Sequence, residues 1–236
     1  VLYWLIGKFF KRVCDHYCMP YVYQGVEISW LGHDSFYVRH SDKRIYFDPY
    51  KIKPKEKATH IFISHDHFDH LSLDDLRKIA TADTEIVAAE PCRKQISSLK
   101  TGLLKFVKPG DELEVSGVGV KVIPAYNVDK FREPGLVYHP KMAGGVGYIV
   151  EVGGVKIYHA GDTDFIPEMK DLKVDVALIP VSGTFVMTAD EAAQAVNEFK
   201  PKIAIPMHYG AIVGSSRDVE EFKKKAKVEV VVLEKE

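Results

Sequence analysis

The stretch Thr59-His60-Ile61-Phe62-Ile63-Ser64-His65-Asp66-His67-Phe68-Asp69-His70 decides how this chain is read. Thr59 to Ser64 has the short apolar run of a buried strand and is predicted as one. The residues after it place four metal-ligating side chains, His65, His67, Asp69 and His70, within six positions. Hydrolytic divalent metal sites use imidazole and carboxylate ligands and keep one position open for water. Residues two apart at a strand end point the same way, so His65 and His67 can grip one ion. The turn beyond them can aim Asp69 and His70 at a neighbouring ion, while Asp66 is expected to point away. The bland alternative is a polar loop that happens to hold three of the chain's ten histidines. Their packing beside two acids argues against it.

Outward from this stretch, short apolar runs alternate with helical patterns. Val26 to Leu31, Ser35 to Arg39 and Arg44 to Phe47 read as a meander broken by polar turns. Glu85 to Ala88, Val120 to Ala125, Gly147 to Glu151, Val155 to His159, Val174 to Pro180, Ile203 to Pro206 and Val228 to Leu233 are further strand candidates. Ser72 opens a helix with Leu73, Leu76 and Ile79 on one face. Thr188 and Glu191 form a capping box before a second helix, and a third lies near Arg217 to Lys225. Strands outnumber helices, which favours sheets packed on each other with helices outside. The longest irregular stretch, Tyr126 to Gly145, is a candidate lid.

With 236 residues and 46% hydrophobic content, the chain can bury one large core. We expect a helical extension over 1–24 and one domain over 25–236. The net charge of -1 offers no footprint for nucleic acid, and none is expected as a partner. Three cysteines make no disulfide framework, which suggests a reducing, cytoplasmic setting. The apolar start, Val1 to Phe10, is too short for an integral span of about 20 residues. A helix packed on the domain or on a second copy of the chain is the plainer reading, and homo-oligomerisation stays open.

The motif His-x-His-x-Asp-His after a buried strand resembles the signature of the metallo-β-lactamase superfamily. Gly161-Asp162-Thr163 looks like the motif whose aspartate bridges two metals, and His208 in Ile205-Pro206-Met207-His208-Tyr209 looks like the final histidine ligand. Trp30-Leu31-Gly32-His33, Asp48-Pro49 and Tyr158-His159-Ala160-Gly161-Asp162 are similar to the branch that contains L-ascorbate-6-phosphate lactonase and N-acyl-phosphatidylethanolamine phospholipase D. The resemblance implies an α+β, four-layer αβ/βα sandwich, with one or two divalent ions at an edge of the sheets. Zn2+ is the expected ion, with Mn2+, Ni2+ or Fe2+ as alternatives.

Asn127 stands where this branch often carries a histidine, and a neutral amide is a weaker ligand than imidazole. His33 or His139 can complete the His65/His67 position. The shared Gly-His turn favours His33 as the ligand. Asp48 is either a support for a ligand histidine or a turn carboxylate. Lys51, Lys53, Lys55 and Lys57 are either a solvated edge or a cationic rim for an anionic substrate. The expected activity is hydrolysis of an acyl (lactone or ester) or phosphodiester centre in a small, anionic molecule by a metal-bound hydroxide. Asp69 and Asp162 are placed in the chemistry as well as among the ligands. Tyr209 or Tyr126 is a candidate donor to the developing oxyanion. The alternatives are a metal-binding protein with little hydrolysis, suggested by Asn127, and a redox or persulfide-type iron member of the fold.

Overall fold

The computed structural model describes residues 19–236. Two seven-stranded sheets repeat one pattern, an antiparallel meander that continues into parallel strands. The first contains β1 (Tyr21–Tyr23), β2 (Val26–Gly32), β3 (Ser35–His40), β4 (Lys43–Phe47), β5 (His60–Ile63), β6 (Glu85–Ala89) and β7 (Leu103–Val107), adjacent in chain order. The second contains β8 (Glu112–Val115), β9 (Val118–Pro124), β12 (Val146–Val152), β13 (Val155–His159), β14 (Val176–Pro180), β15 (Ile203–Met207) and β16 (Glu229–Val230). A separate small ribbon joins β10 (Phe131–Glu133) to β11 (Leu136–Val137). The helices are α1 (Leu73–Ile79), α2 (Arg93–Ile96), α3 (Ala189–Phe199) and α4 (Ser216–Lys225).

The sheets face each other across an aromatic core. His159 stacks on Phe47 at 5.1 Å, and Phe62 meets Tyr148 at 5.3 Å. The Tyr148 hydroxyl donates to the Ile63 carbonyl at 2.8 Å. Successive strand residues point to opposite faces, so Tyr158 turns outward to Phe199 of α3 while His159 turns inward. This is the expected α+β sandwich. Thr188 and Glu191 close the predicted capping box on α3, and Ser72 caps α1 through the Asp75 amide.

Several expectations need correction. Tyr21–Tyr23 pair antiparallel with β2, so these residues of the expected helical extension belong to the first sheet. Residues 1–18, with Cys14, Cys18 and the apolar start, lie outside the described residues. The last strand shrinks to Glu229–Val230. The chain then crosses to the first sheet, where Glu236 donates its amide to the Trp30 carbonyl at 3.1 Å. Strands β7 and β8, which the sequence reading does not name, each form one edge of their sheet. Charged residues on their open faces dilute the pattern there. Among the described residues, no helix is long and apolar enough to cross a membrane.

Candidate metal centre

The C-terminal ends of β2, β4, β5, β13 and β15 deliver His33, Asp48, the His65–His70 loop, Asp162 and His208 to one place. Beyond β5 a helical turn, with the Leu71 amide on the His67 carbonyl at 2.8 Å, folds the loop back. That turn brings His70 within 4.0 Å of His65, ring centre to ring centre. Gly161 carries the Asp162 loop against this turn. Its φ is +63°, and a Cβ there would lie 2.8 Å from the Val146 carbonyl and 3.1 Å from the Ser64 side chain.

Three of the imidazoles, those of His65, His70 and His208, are held from behind. His65 Nδ1 lies 3.0 Å from Ser64 Oγ, and that hydroxyl donates to Asp48 Oδ2 at 2.5 Å. His70 Nδ1 bonds the same carboxylate at 2.8 Å, which settles Asp48 as a support for a ligand-type histidine. His208 Nδ1 lies 2.9 Å from Ser182 Oγ. With Nδ1 occupied, the Nε2 atoms of His65, His70 and His208 face inward, buried and without a hydrogen-bond partner. Asp162 Oδ1 shares that condition. Buried polar atoms that converge without partners are rare in proteins and mark a place for an ion.

The spacing fits divalent ions. Two donors about 2.1 Å from one tetrahedral ion stand about 3.4 Å apart. Asp162 Oδ2 lies 3.4 Å from both His139 Nε2 and His208 Nε2, and Asp162 Oδ1 lies 3.3 Å from His70 Nε2. His139 Nε2 is 3.2 Å from His67 Nδ1. One face of Asp162 therefore carries His65, His67 and His139, and the other carries Asp34, His70 and His208 with His33 beside them.

Here the structure corrects the sequence reading. His139, not His33, stands with His65 and His67. The irregular stretch at 126–145 is a hairpin, closed by the Asn127 amide on the His139 carbonyl at 2.8 Å. Asn127 uses its whole amide group as a clamp. Its Oδ1 accepts from the His139 backbone at 2.9 Å and from His139 Nδ1 at 3.0 Å. Its Nδ2 donates to Asp164 at 3.0 Å and to the Phe185 carbonyl at 2.8 Å. The side-chain amide of Asn127 thus positions an imidazole twelve residues later. His33 donates from Nε2 to Asp69 Oδ2 at 3.1 Å, so Asp69 is tied to His33 rather than grouped with the other donors.

Asp34 and Ser182 were not singled out from the sequence. Asp34 sits in a Gly-His-Asp turn that reads as ordinary turn chemistry, and nothing near Ser182 advertises its contact with His208. The candidate oxyanion donors are also placed. Tyr209 stacks on Trp30 at 4.7 Å, and the Tyr126 hydroxyl donates to Glu168 at 3.0 Å.

Electrostatics polarise the cluster. Burial would raise the Asp162 pKa, but His70 and His208 outweigh it and hold the carboxyl well below the ordinary range. Burial opposes charge on His208, yet Asp162 and Asp34 lift it to about 9. His70 rises well above its usual value, because Asp162 and Asp48 outweigh its burial. His65, buried beside His70, falls well below. Burial raises Asp34 well above the carboxylate range.

A sandwich of two sheets with a His/Asp cluster at the strand ends defines the class as a metallo-β-lactamase fold. The family described as "Beta-lactamase superfamily domain" matches residues 27–208, and the chain belongs to it. It is 34% identical over 223 residues to a UPF0173 metal-dependent hydrolase of Thermococcus onnurineus, covering 88% of this chain and 96% of that one. A crystal structure from Parabacteroides distasonis, assigned as a metal-dependent hydrolase, superposes with a TM-score of 0.78 at 33% identity, over 89% of this chain and 94% of the other. Igni18, a metallo hydrolase from Ignicoccus hospitalis, shares the fold at a TM-score of 0.70 and 21% identity, over 89% of this chain and 95% of that one.

Proposed function

We propose that the chain hydrolyses an acyl (lactone or ester) or phosphodiester centre of a small anionic molecule at this metal centre. The observation that carries the reading is the convergence of unpartnered His65, His70 and His208 nitrogens on the Asp162 carboxylate. A bound divalent ion lowers the pKa of its water from 15.7 toward about 7 and polarises the scissile oxygen.

The residues divide the remaining work. His65, His67 and His139 would hold one divalent ion and His70 and His208 a second, with the Asp162 carboxylate within reach of both sets. Asp69, fixed by His33, would accept a hydrogen bond from the attacking water; its side chain keeps 14% exposure. Tyr209, whose pKa burial pushes up to about 12, stays protonated as a donor to the developing charge. Lys51 supports the anionic part of the proposal. Its Nζ lies 5.0 Å over Tyr50, whose ring lies 5.8 Å from Phe68 in the ligand loop. Lys55 and Lys57 are engaged elsewhere, with Ser29 and the Lys78 carbonyl. Since His139 completes the three-imidazole face, Asn127 no longer favours a binding protein without catalysis.

The test strips the protein with a chelator, reloads it with Zn2+ or Mn2+, and assays lactones, aryl esters and phosphodiesters. Turnover of one class that disappears on stripping, returns on reloading and is absent in His67→Ala is expected. A fully loaded protein inert on all three classes overturns the reading.

A further inference from the structure

Asp34 is an anomaly among the described side chains. It is fully buried, and neither carboxylate oxygen has a hydrogen-bond partner. An isolated carboxylate in that condition costs several kcal/mol unless something compensates it. Its backbone is fixed, because His159 Nε2 bonds the Asp34 carbonyl at 2.8 Å. The preceding residue, His33, is held in the left-handed region at φ +52°, a conformation that non-glycine residues rarely adopt. The turn therefore spends strain to aim this side chain. It points at the second face: Oδ2 lies 3.6 Å from His70 Nε2, and the donor atoms of His33, Asp34, His70 and His208 all lie within 4.8 Å of one another.

We propose that Asp34 is a ligand of the ion at the His70/His208 position, and that it gives that position a preference for a harder, more oxygen-seeking cation than the three-imidazole face takes. The inference rests on the metal-hydrolase reading and goes beyond it, because it assigns a ligand and an asymmetry between the two positions. With Asp34 and Asp162 both contributing oxygen, the second position is rich in carboxylate. Hard cations such as Mn2+ favour carboxylate, whereas imidazole suits Zn2+. A cation there also relieves the crowding of two buried carboxylates.

The rival role is a protonated Asp34 that only donates a hydrogen bond within the cluster. Asparagine is the isostere of that form, so Asp34→Asn separates the two roles. The full chain and the variant are stripped of metal, then titrated with Mn2+ followed by electron paramagnetic resonance and with Zn2+ followed by elemental analysis. Their metal-free melting temperatures are compared. Asp34→Asn is expected to lose about tenfold or more in Mn2+ affinity. Its Zn2+ binding at the His65/His67/His139 face stays, and its metal-free form melts no lower than the wild type. Unchanged Mn2+ affinity and stoichiometry overturn the inference. So does a metal-free variant that melts well below the wild type or fails to fold, provided that Asp34→Ser behaves likewise, since that marks the carboxylate as structural. A variant that keeps the wild-type melting temperature but loses Zn2+ and Mn2+ equally overturns the asymmetry. Wild type that binds neither ion defeats the metal-hydrolase reading itself, a result separate from any failure of Asp34.

Discussion

The two faces of Asp162 are built in different ways. His70 and His208 are buried to 0% and 1% exposure, and Asp48 and Ser182 hold them at the ends of strands. The opposite face combines an exposed histidine, His67, with His139, which arrives on a hairpin. The buried face is fixed by the sheets, whereas the other is assembled largely from loops and includes the exposed His67. Rigid strands supply position and loops supply access, a division common where a site sits on strand ends.

Removing what both faces share gives the largest effect. Asp162→Ala is expected to drop bound metal to near zero and turnover by about two orders of magnitude or more. Retention of two equivalents, measured by elemental analysis, breaks the picture of a shared carboxylate. His139→Ala follows, with the loss of one equivalent while the buried face keeps its own. If His33→Ala instead empties the His65/His67 position, the assignment of His139 is wrong.

Asn127 sharpens the comparison. Asn127→Ala is expected to weaken metal binding at the open face by about 10–100-fold, because it unlocks His139 without deleting a ligand. Asn127→His is expected to weaken it too, since an imidazole cannot make the four bonds of the amide. Tightened binding in Asn127→His would show that position 127 is itself a ligand position.

The smallest effect is in the pH dependence of the metal-free protein, where the faces have opposite signs. His208 is raised from 6.5 to about 9, so its stabilisation is complete below pH 6.5 and is lost as pH rises through about 9. His65 is depressed by burial, so its contribution is lost as pH falls below 6.5. Melting temperatures measured from pH 5 to 10 should fall by a few degrees toward each end. In His208→Gln, the decline on the alkaline side should shrink, with the share of His70, which is also raised, remaining.

The sequence carried part of each face. His65, His67 and His70 stand in one short window after an apolar strand, and the structure brings the three rings together. Asp162 and His208 were reached only through the family resemblance, because the sandwich, not the chain, brings them to that window. His139 was named but set behind His33. The two compete for a position that depends on how a twenty-residue stretch folds back, and no periodic pattern records a clamp made of one amide. Asp34 was invisible for a plainer reason: an aspartate after Gly-His reads as a turn residue, and burial is a tertiary property. The edge strands β7 and β8 escaped because half of each faces water.

The hairpin has one more consequence. It is pinned by Lys130 to Glu191 at 2.8 Å and by Lys141 to Glu168 at 2.7 Å, and by His139 at the metal centre. Its first strand, with Arg132, is exposed along its length. On the proposed role of His139, metal binding and docking of the hairpin are linked equilibria, so each favours the other. A protease that cuts after Arg132 reads that linkage directly. Trypsin should nick the chelated protein there faster than the loaded one, and salt that weakens the two lysine contacts should widen the gap. The rate at which this one bond breaks becomes a measure of occupancy at the centre, obtained without a substrate.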